Sequence, residues 1–249
     1  MKKQLIPIVL LLVAIGGGCT CTRSDSNEVE VESYTLKDSI LIETNFGEEY
    51  SYYSVNAEIP ITRNKELKET IINWMLDADS IDYETYFEDM RDTFFSEEGD
   101  EPGSNLKSNY TLAEQTDLYV TYISEGSVYT GGAHPMPWYY GTSFSKIDGE
   151  IIGYDIFEDP EQIVGLIADS IRQQYFEPNT TIEEEYFIDP DTPIDLPTNL
   201  PWIEGGSIVF CYQPFEIAPY SAGMPLCKIT IDALKPYLSE KGKELLKIE

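Results

Sequence analysis

The only histidine of the chain, His134, lies in the segment Tyr129-Thr-Gly-Gly-Ala-His-Pro135. A single imidazole could act as a general base for a hydroxyl nucleophile, or it could ligate a metal. The second role meets a count. Common zinc hydrolase sites draw two or three imidazoles from the protein, and one histidine cannot supply them. The first role needs an exposed nucleophile, and no Gly-x-Ser-x-Gly elbow occurs: Gly103-Ser104-Asn105 and Gly126-Ser127-Val128 do not match it. A glycosidase can dispense with histidine and use paired carboxylates. With 45 Asp+Glu in the chain, however, sequence spacing picks out no pair. The acids of Asp189-Pro-Asp-Thr-Pro-Ile-Asp195 alternate but lack the glycine and terminal glutamate of a calcium loop. No phosphate-cradling loop or dinucleotide fingerprint appears. The sequence therefore favours a non-catalytic protein without cofactor or metal, and an uncharacterised hydrolase stays open as an alternative.

The same segment reads well as a recognition turn. Gly131 and Gly132 permit positive φ. Pro135 holds the residue before it extended. Tyr129, Trp138, Tyr139 and Tyr140 crowd around the turn, and rigid amphipathic aromatics are the usual anchors of protein interfaces. Tyr129, Gly131, Gly132, His134, Trp138 and Tyr140 are the candidate ligand-binding residues. The bland alternative is that His134 pins the turn by bonding strand carbonyls and that half of the aromatics are core.

The elements around this turn read as follows. Ile40–Thr44 and Tyr50–Ile61 have strand character, the second with Tyr53, Val55, Ala57, Ile59 and Ile61 on one face. Asn64 is placed to cap a helix carrying Leu67, Ile71, Trp74 and Met75. A second, acidic helix over Asp82–Phe95 turns Tyr83, Tyr86, Phe87, Met90 and Phe94 inward. Two strands fill Tyr110–Thr130. Asp148-Gly149 joins Trp138–Ser145 to Glu150–Tyr154 as a hairpin. Pro160 opens a helix with Ile163, Leu166, Ile167 and Ile171 buried. Glu177–Trp202 is a long, acidic, proline-rich connection. Strands over Ile208–Ile217 and Leu226–Ile231 and a short helix from Asp232 complete the chain. The expected fold is α+β and two-lobed: a small N-terminal β-α lobe over 38–106, then a larger, mostly antiparallel sheet with one main packed helix over 107–249.

The first residues carry an address. Lys2 and Lys3 precede an apolar run, Leu5–Ile15, that is shorter than the roughly 20 residues needed to span a bilayer. It suits a signal peptide over 1–18. Gly16-Gly17-Gly18-Cys19 resembles a bacterial lipoprotein cleavage site, which would make Cys19 a lipidated N-terminus. The alternative is plain secretion with a free Cys19 thiol. Residues 19–37 read as a polar tether. Its Ser24-Asp25-Ser26-Asn27-Glu28 resembles the acidic tracts that send some lipoproteins to the outer surface. The expected location is the bacterial cell envelope, lipid-anchored at the outer membrane or cell surface. In such a compartment Cys211 and Cys227 could form a disulfide closing a loop of about 15 residues, worth roughly 3 kcal/mol in the chain-entropy model. Two buried free thiols are the open alternative.

Sixteen Lys+Arg face the 45 acids, a formal charge of −29. That excludes a nucleic-acid partner, which requires clustered cations, and adsorption to an anionic membrane. Contact with the membrane is left to the lipid anchor. The field would steer a cationic protein inward, or serve solubility alone.

Three further segments carry a family resemblance. Tyr129-Thr-Gly-Gly-Ala-His-Pro135 with its aromatic strand, Asp155-Ile-Phe157 before a helix, and Phe210-Cys-Tyr-Gln-Pro-Phe-Glu-Ile-Ala218 followed by Gly223 resemble, in order and spacing, the extracellular domain shared by the anti-sigma protein RsiV and the deacetylase PdaC. The resemblance covers roughly residues 115–238. It departs at Phe215, where the family more often has tyrosine. It implies a two-lobed α+β domain outside the cytoplasm. In RsiV this domain is a receptor for lysozyme, which implies a cationic, lysozyme-like protein partner. The deacetylase relative implies peptidoglycan as the alternative. No sigma-binding segment and no deacetylase domain accompany it here.

Overall fold

A computed structural model describes residues 3–5, 28–79, 82–99, 101–175 and 194–248. The cleavage site, Cys19, Cys21, the acidic 24–27 tract and most of the 177–202 connection lie outside the described residues. The fold is α+β. The contacts divide it into two units, residues 1–110 with 126–137, and residues 111–125 with 138–249. The first unit thus takes in the Gly131-Gly132 turn, which the sequence assigned to the second lobe.

The first unit is built on a long antiparallel hairpin, β2 (Glu30–Thr44) against β3 (Gly47–Ile61), with β1 (Lys3–Leu5) on the outer side of β2. Gly47 takes φ 133° at the turn, and the Thr44 hydroxyl donates to its carbonyl at 2.8 Å. β2 starts at Glu30, so residues 30–37 are strand and not tether. The alternation there is faint because only Val31, Tyr34, Leu36 and Asp38 are even half-buried. The main-chain ladder to β3 holds the segment.

After β3 the chain makes helix α1 (Lys65–Leu76) and helix α2 (Tyr83–Thr93) and returns as β4 (Asn105–Gln115). β4 pairs parallel to β3 from Tyr52↔Asn105 to Ala57↔Tyr110. A parallel pair needs such a crossover. The Asn64 side chain accepts from the Leu67 N–H at 3.1 Å, the cap its position predicts. Leu67, Ile71 and Met75 are buried while Trp74 is half-buried. Tyr53, Val55, Ala57 and Ile59 face the core. Ile61 and Met90 do not: they are exposed at the ends of their elements.

β5 (Tyr119–Tyr129) ends and β6 (Met136–Ser145) begins in the first unit, with residues 119–125 and 138–145 in the second. β7 (Ile151–Ile152) follows across the Asp148-Gly149 turn, where Gly149 has φ 76°. Helix α3 (Val164–Tyr175) packs Ile167 and Ile171 inward behind a 3-10 turn, Pro160–Ile163. A second sheet has the order β10-β9-β8, from β8 (Trp202–Glu204), β9 (Ser207–Cys211) and β10 (Leu226–Thr230). Helices α4 (Ile231–Leu234) and α5 (Glu240–Leu245) close the chain. One apolar core joins Ile163, Ile167 and Ile171 to Phe210, Cys227 and Leu234. Opposite it, a smaller cluster holds Ile123, Trp202, Val209 and Cys211.

The two cysteines mark this division. Cys211 stands opposite Leu226, and Cys227 opposite Phe210. Cross-strand partners share a face and successive residues alternate, so the thiols project from opposite faces of the sheet. The disulfide expectation is corrected: both are free, buried cysteines. Burial first of all pushes each thiol up to about 12.

Candidate functional site

The Gly131-Gly132 turn connects β5 to β6, and every residue from Thr130 to Met136 is exposed. Gly131 and Gly132 adopt φ 104° and 96°, values open only to residues without a Cβ. A Cβ at either would meet nothing within 4 Å, so these glycines serve backbone shape and not close packing. The Tyr129 hydroxyl donates to the Gly132 carbonyl at 3.1 Å and ties the turn to its strand. Tyr129 thus pins the turn from the end of β5. The His134 ring lies in solvent, with Nδ1 3.2 Å from the Pro135 carbonyl. A candidate ligand-contact residue, Tyr129, thus spends its polar atom on the turn itself, while His134 presents its ring outward.

The aromatics after the turn are half-buried. Trp138 donates from Nε1 to the Ser124 hydroxyl at 3.1 Å. Tyr139 meets the buried Trp202 edge-to-face, with ring centroids 5.9 Å apart. Gly141 makes room for that indole: a Cβ there would lie 2.6 Å from the ring. Tyr140 keeps part of its surface open. Of the six sequence candidates, Gly131, Gly132 and His134 are fully displayed, and Tyr129, Trp138 and Tyr140 are displayed in part.

Sequence reasoning missed a second surface, formed wholly within the second unit. The strand expected over Ile208–Ile217 stops at Cys211, because Glu216 folds the next residues into a loop. Its carboxylate accepts the Gln213 N–H at 2.8 Å and the Thr198 N–H at 2.6 Å. That loop and the segment 194–198 line a cleft of about 740 Å³ walled by Leu196, Tyr212, Phe215, Ile217 and Pro219. The Tyr212 hydroxyl donates to the Asp195 carbonyl at 2.8 Å, and the Tyr154 hydroxyl to Pro197 at 3.0 Å. Burial pushes both phenols above the ordinary tyrosine range, so they stay donors. At the rim stands Phe215, 56% exposed, at φ 69°. A bulky residue in the left-handed region is an outlier that costs energy. Its ring lies 5.9 Å from that of Tyr220 at an angle of 34°. The only advance signal was the run Pro214-Phe215-Glu216, where the chain departs from the family pattern.

Among the described residues, the cleft walls carry the carboxylates of Asp195 and Glu216 and no cation. Among the described residues, no three of His, Cys, Asp and Glu gather where they could hold a metal ion.

Comparison with known proteins places this architecture. Residues 154–232 match DUF3298, a family described as a protein of unknown function. That span takes in α3, the second sheet and the cleft loop. Two crystal structures share the fold. One is a DUF3298 family member from Bacteroides fragilis, 14% identical, with a TM-score of 0.65 over 86% of this chain and 96% of that one. The other is a DUF3298 family protein from Pseudomonas aeruginosa, 17% identical, with a TM-score of 0.60 over 87% of this chain and 97% of that one. At these identities the likeness is one of fold alone. No curated protein matches the chain.

Proposed function

We propose that this chain is a non-catalytic binding module, held at the bacterial cell envelope by lipid on Cys19, whose 129–140 turn takes a cationic, lysozyme-like protein. The observation that carries the reading is the turn itself. Seven consecutive residues, Thr130–Met136, stand in solvent between β5 and β6, followed by half-open aromatics. An unpacked segment with fixed glycine geometry is what a recognition loop requires. The charge of −29 suits a basic partner by steering its approach. The resemblance to the RsiV-type domain supplies the lysozyme-like class. Immobilised lysozyme should retain the protein, and His134→Ala, Trp138→Ala and Tyr140→Ala should weaken retention while circular dichroism stays unchanged. Full retention by all three variants would remove the turn from the interface.

A second reading has its own observation. The cleft sets Phe215, whose ring tilts against that of Tyr220, beside Asp195, Thr198 and Glu216. Apolar ring faces beside hydrogen-bonding groups suit a sugar of the cell-wall glycan. Binding to peptidoglycan sacculi that is lost in Phe215→Ala, with lysozyme retention intact, would favour it.

A further inference from the structure

We propose that the outer edge of β2 at Ser39–Ile42 is a strand-acceptor site for an extended peptide bearing a basic residue. The proposal rests on the reading that residues 1–18 are removed as a leader.

Among the described residues, β2 is shielded on its outer side by three, with Lys3↔Ile42, Gln4↔Leu41 and Leu5↔Ile40 in antiparallel register. Removal of the leader leaves the main-chain groups of that stretch without a strand neighbour. Natural edge strands resist unwanted pairing with charges, prolines or bulges. β2 has such guards along its first half, at Glu30, Glu32, Lys37 and Asp38. Ser39-Ile-Leu-Ile42 has none. The ladder to β3 runs without a bulge from Glu30↔Ile61 to Thr44↔Gly47, so the edge is straight.

The surroundings select the kind of strand. Glu43 stands directly opposite Glu48, and Ile42 opposite Glu49. All three acids are exposed. Like charges directly opposed in a ladder are destabilising, and Glu49, on the other face of the strand, adds to the negative field that a cation on the added strand would meet. The chain's own strand places Lys3 in the row that runs through Ile42 to Glu49. On the solvent face, Tyr50 and Tyr52 are 40% and 54% exposed, with ring centroids 6.1 Å apart. They stand opposite Leu41 and Ser39 and make an apolar shelf beside the edge. Strand addition of this kind takes affinity from the main chain and specificity from alternate side chains.

The test uses the chain beginning at residue 19 with Cys19→Ser, so that it is lipid-free, and a synthetic peptide of residues Met1–Ile6. Only every second amide of Ser39–Glu43 faces the outer edge, the others donating to β3. Hydrogen exchange at the edge-facing amides should be fast without peptide and slow with it. A peptide with glutamate in place of both lysines should bind about tenfold more weakly. His134→Ala should leave peptide binding unchanged, which separates this site from the proposed protein-binding turn. The idea is overturned by amides that are already protected in a monomer, by protection that comes with a doubled mass, which gives the edge to a second copy, or by open amides that the peptide does not slow.

Discussion

Gln213 and Tyr139 are joined by a reciprocal pair of hydrogen bonds. Gln213 Nε2 donates to the Tyr139 carbonyl at 2.8 Å, and Tyr139 donates its N–H to Gln213 Oε1 at 3.3 Å. A side-chain amide thus serves β6 as a strand neighbour would, and it ties the aromatic strand to the Phe215 loop. Gln213→Ala leaves both main-chain groups of a half-buried residue unmet. The expected loss is about 1–3 kcal/mol, read as a lower midpoint in urea and faster exchange at the Tyr139 amide. An unchanged midpoint would mean that water replaces the amide without cost.

Phe215 stands at φ 69°. Asn tolerates that region far better than an aromatic residue. Phe215→Asn should therefore raise stability by up to about 1 kcal/mol while any affinity for sacculi falls. A stability gain with binding retained would make the strain incidental to the cleft.

Gly131 and Gly132 sit near φ 100°, beyond the left-handed well that Asn or Asp can reach. Gly131→Ala and Gly132→Ala should each cost about 1–3 kcal/mol of backbone strain or force the turn into a new shape. Either result should weaken lysozyme retention more than His134→Ala does. Retention equal to the parent would show that turn geometry is irrelevant to recognition.

Three buried groups fasten β8 beneath the larger sheet. The Thr121 and Ser143 hydroxyls lie 2.7 Å apart, Thr121 donates to the Ile203 carbonyl at 2.8 Å, and Ser143 accepts the Ile203 N–H at 2.9 Å. Ser143→Ala strands a buried N–H and should cost about 2 kcal/mol. Thermal unfolding reads this directly, and a change within error would point to a water in the serine's place.

The two buried thiols give a pH prediction. Their ordinary value is 9.0, and burial raises each to about 12. The folded state therefore holds protons that the unfolded chain releases first. Their contribution is complete below pH 9 and is lost as pH rises toward 12. Cys211→Ser with Cys227→Ala should flatten this alkaline decline. In the parent, a maleimide at pH 8 should label neither cysteine until denaturant is added. Prompt labelling of the native protein would contradict the burial.

Strong periodicity was readable in the sequence, and weak periodicity was not. The one-face pattern of Tyr53–Ile59, the Asn64 cap, the Asp148-Gly149 hairpin and the Ile163–Ile171 stripe each state their structure locally, and each is present. The start of β2 was hidden because an edge strand buries little, and its stability comes from main-chain bonds to residues far along the chain. The end of β9 was hidden because the carboxylate of Glu216 reaches Thr198, a contact that no spacing reveals. The exposed turn was legible since a glycine pair announces itself. The cleft was not, since its walls come from two separated segments and its oddest residue is odd only in its backbone angle.

Placing Cys211 and Cys227 on opposite sides of one sheet sets a race during biogenesis. Once β9 and β10 have paired, no oxidase can join these sulfurs without tearing the ladder. Before that, nothing but distance along a short loop keeps them apart, and a premature crosslink would bar the register Cys211↔Leu226 for good. Under the proposed export to the cell envelope, the chain must close this hairpin faster than it meets an oxidant.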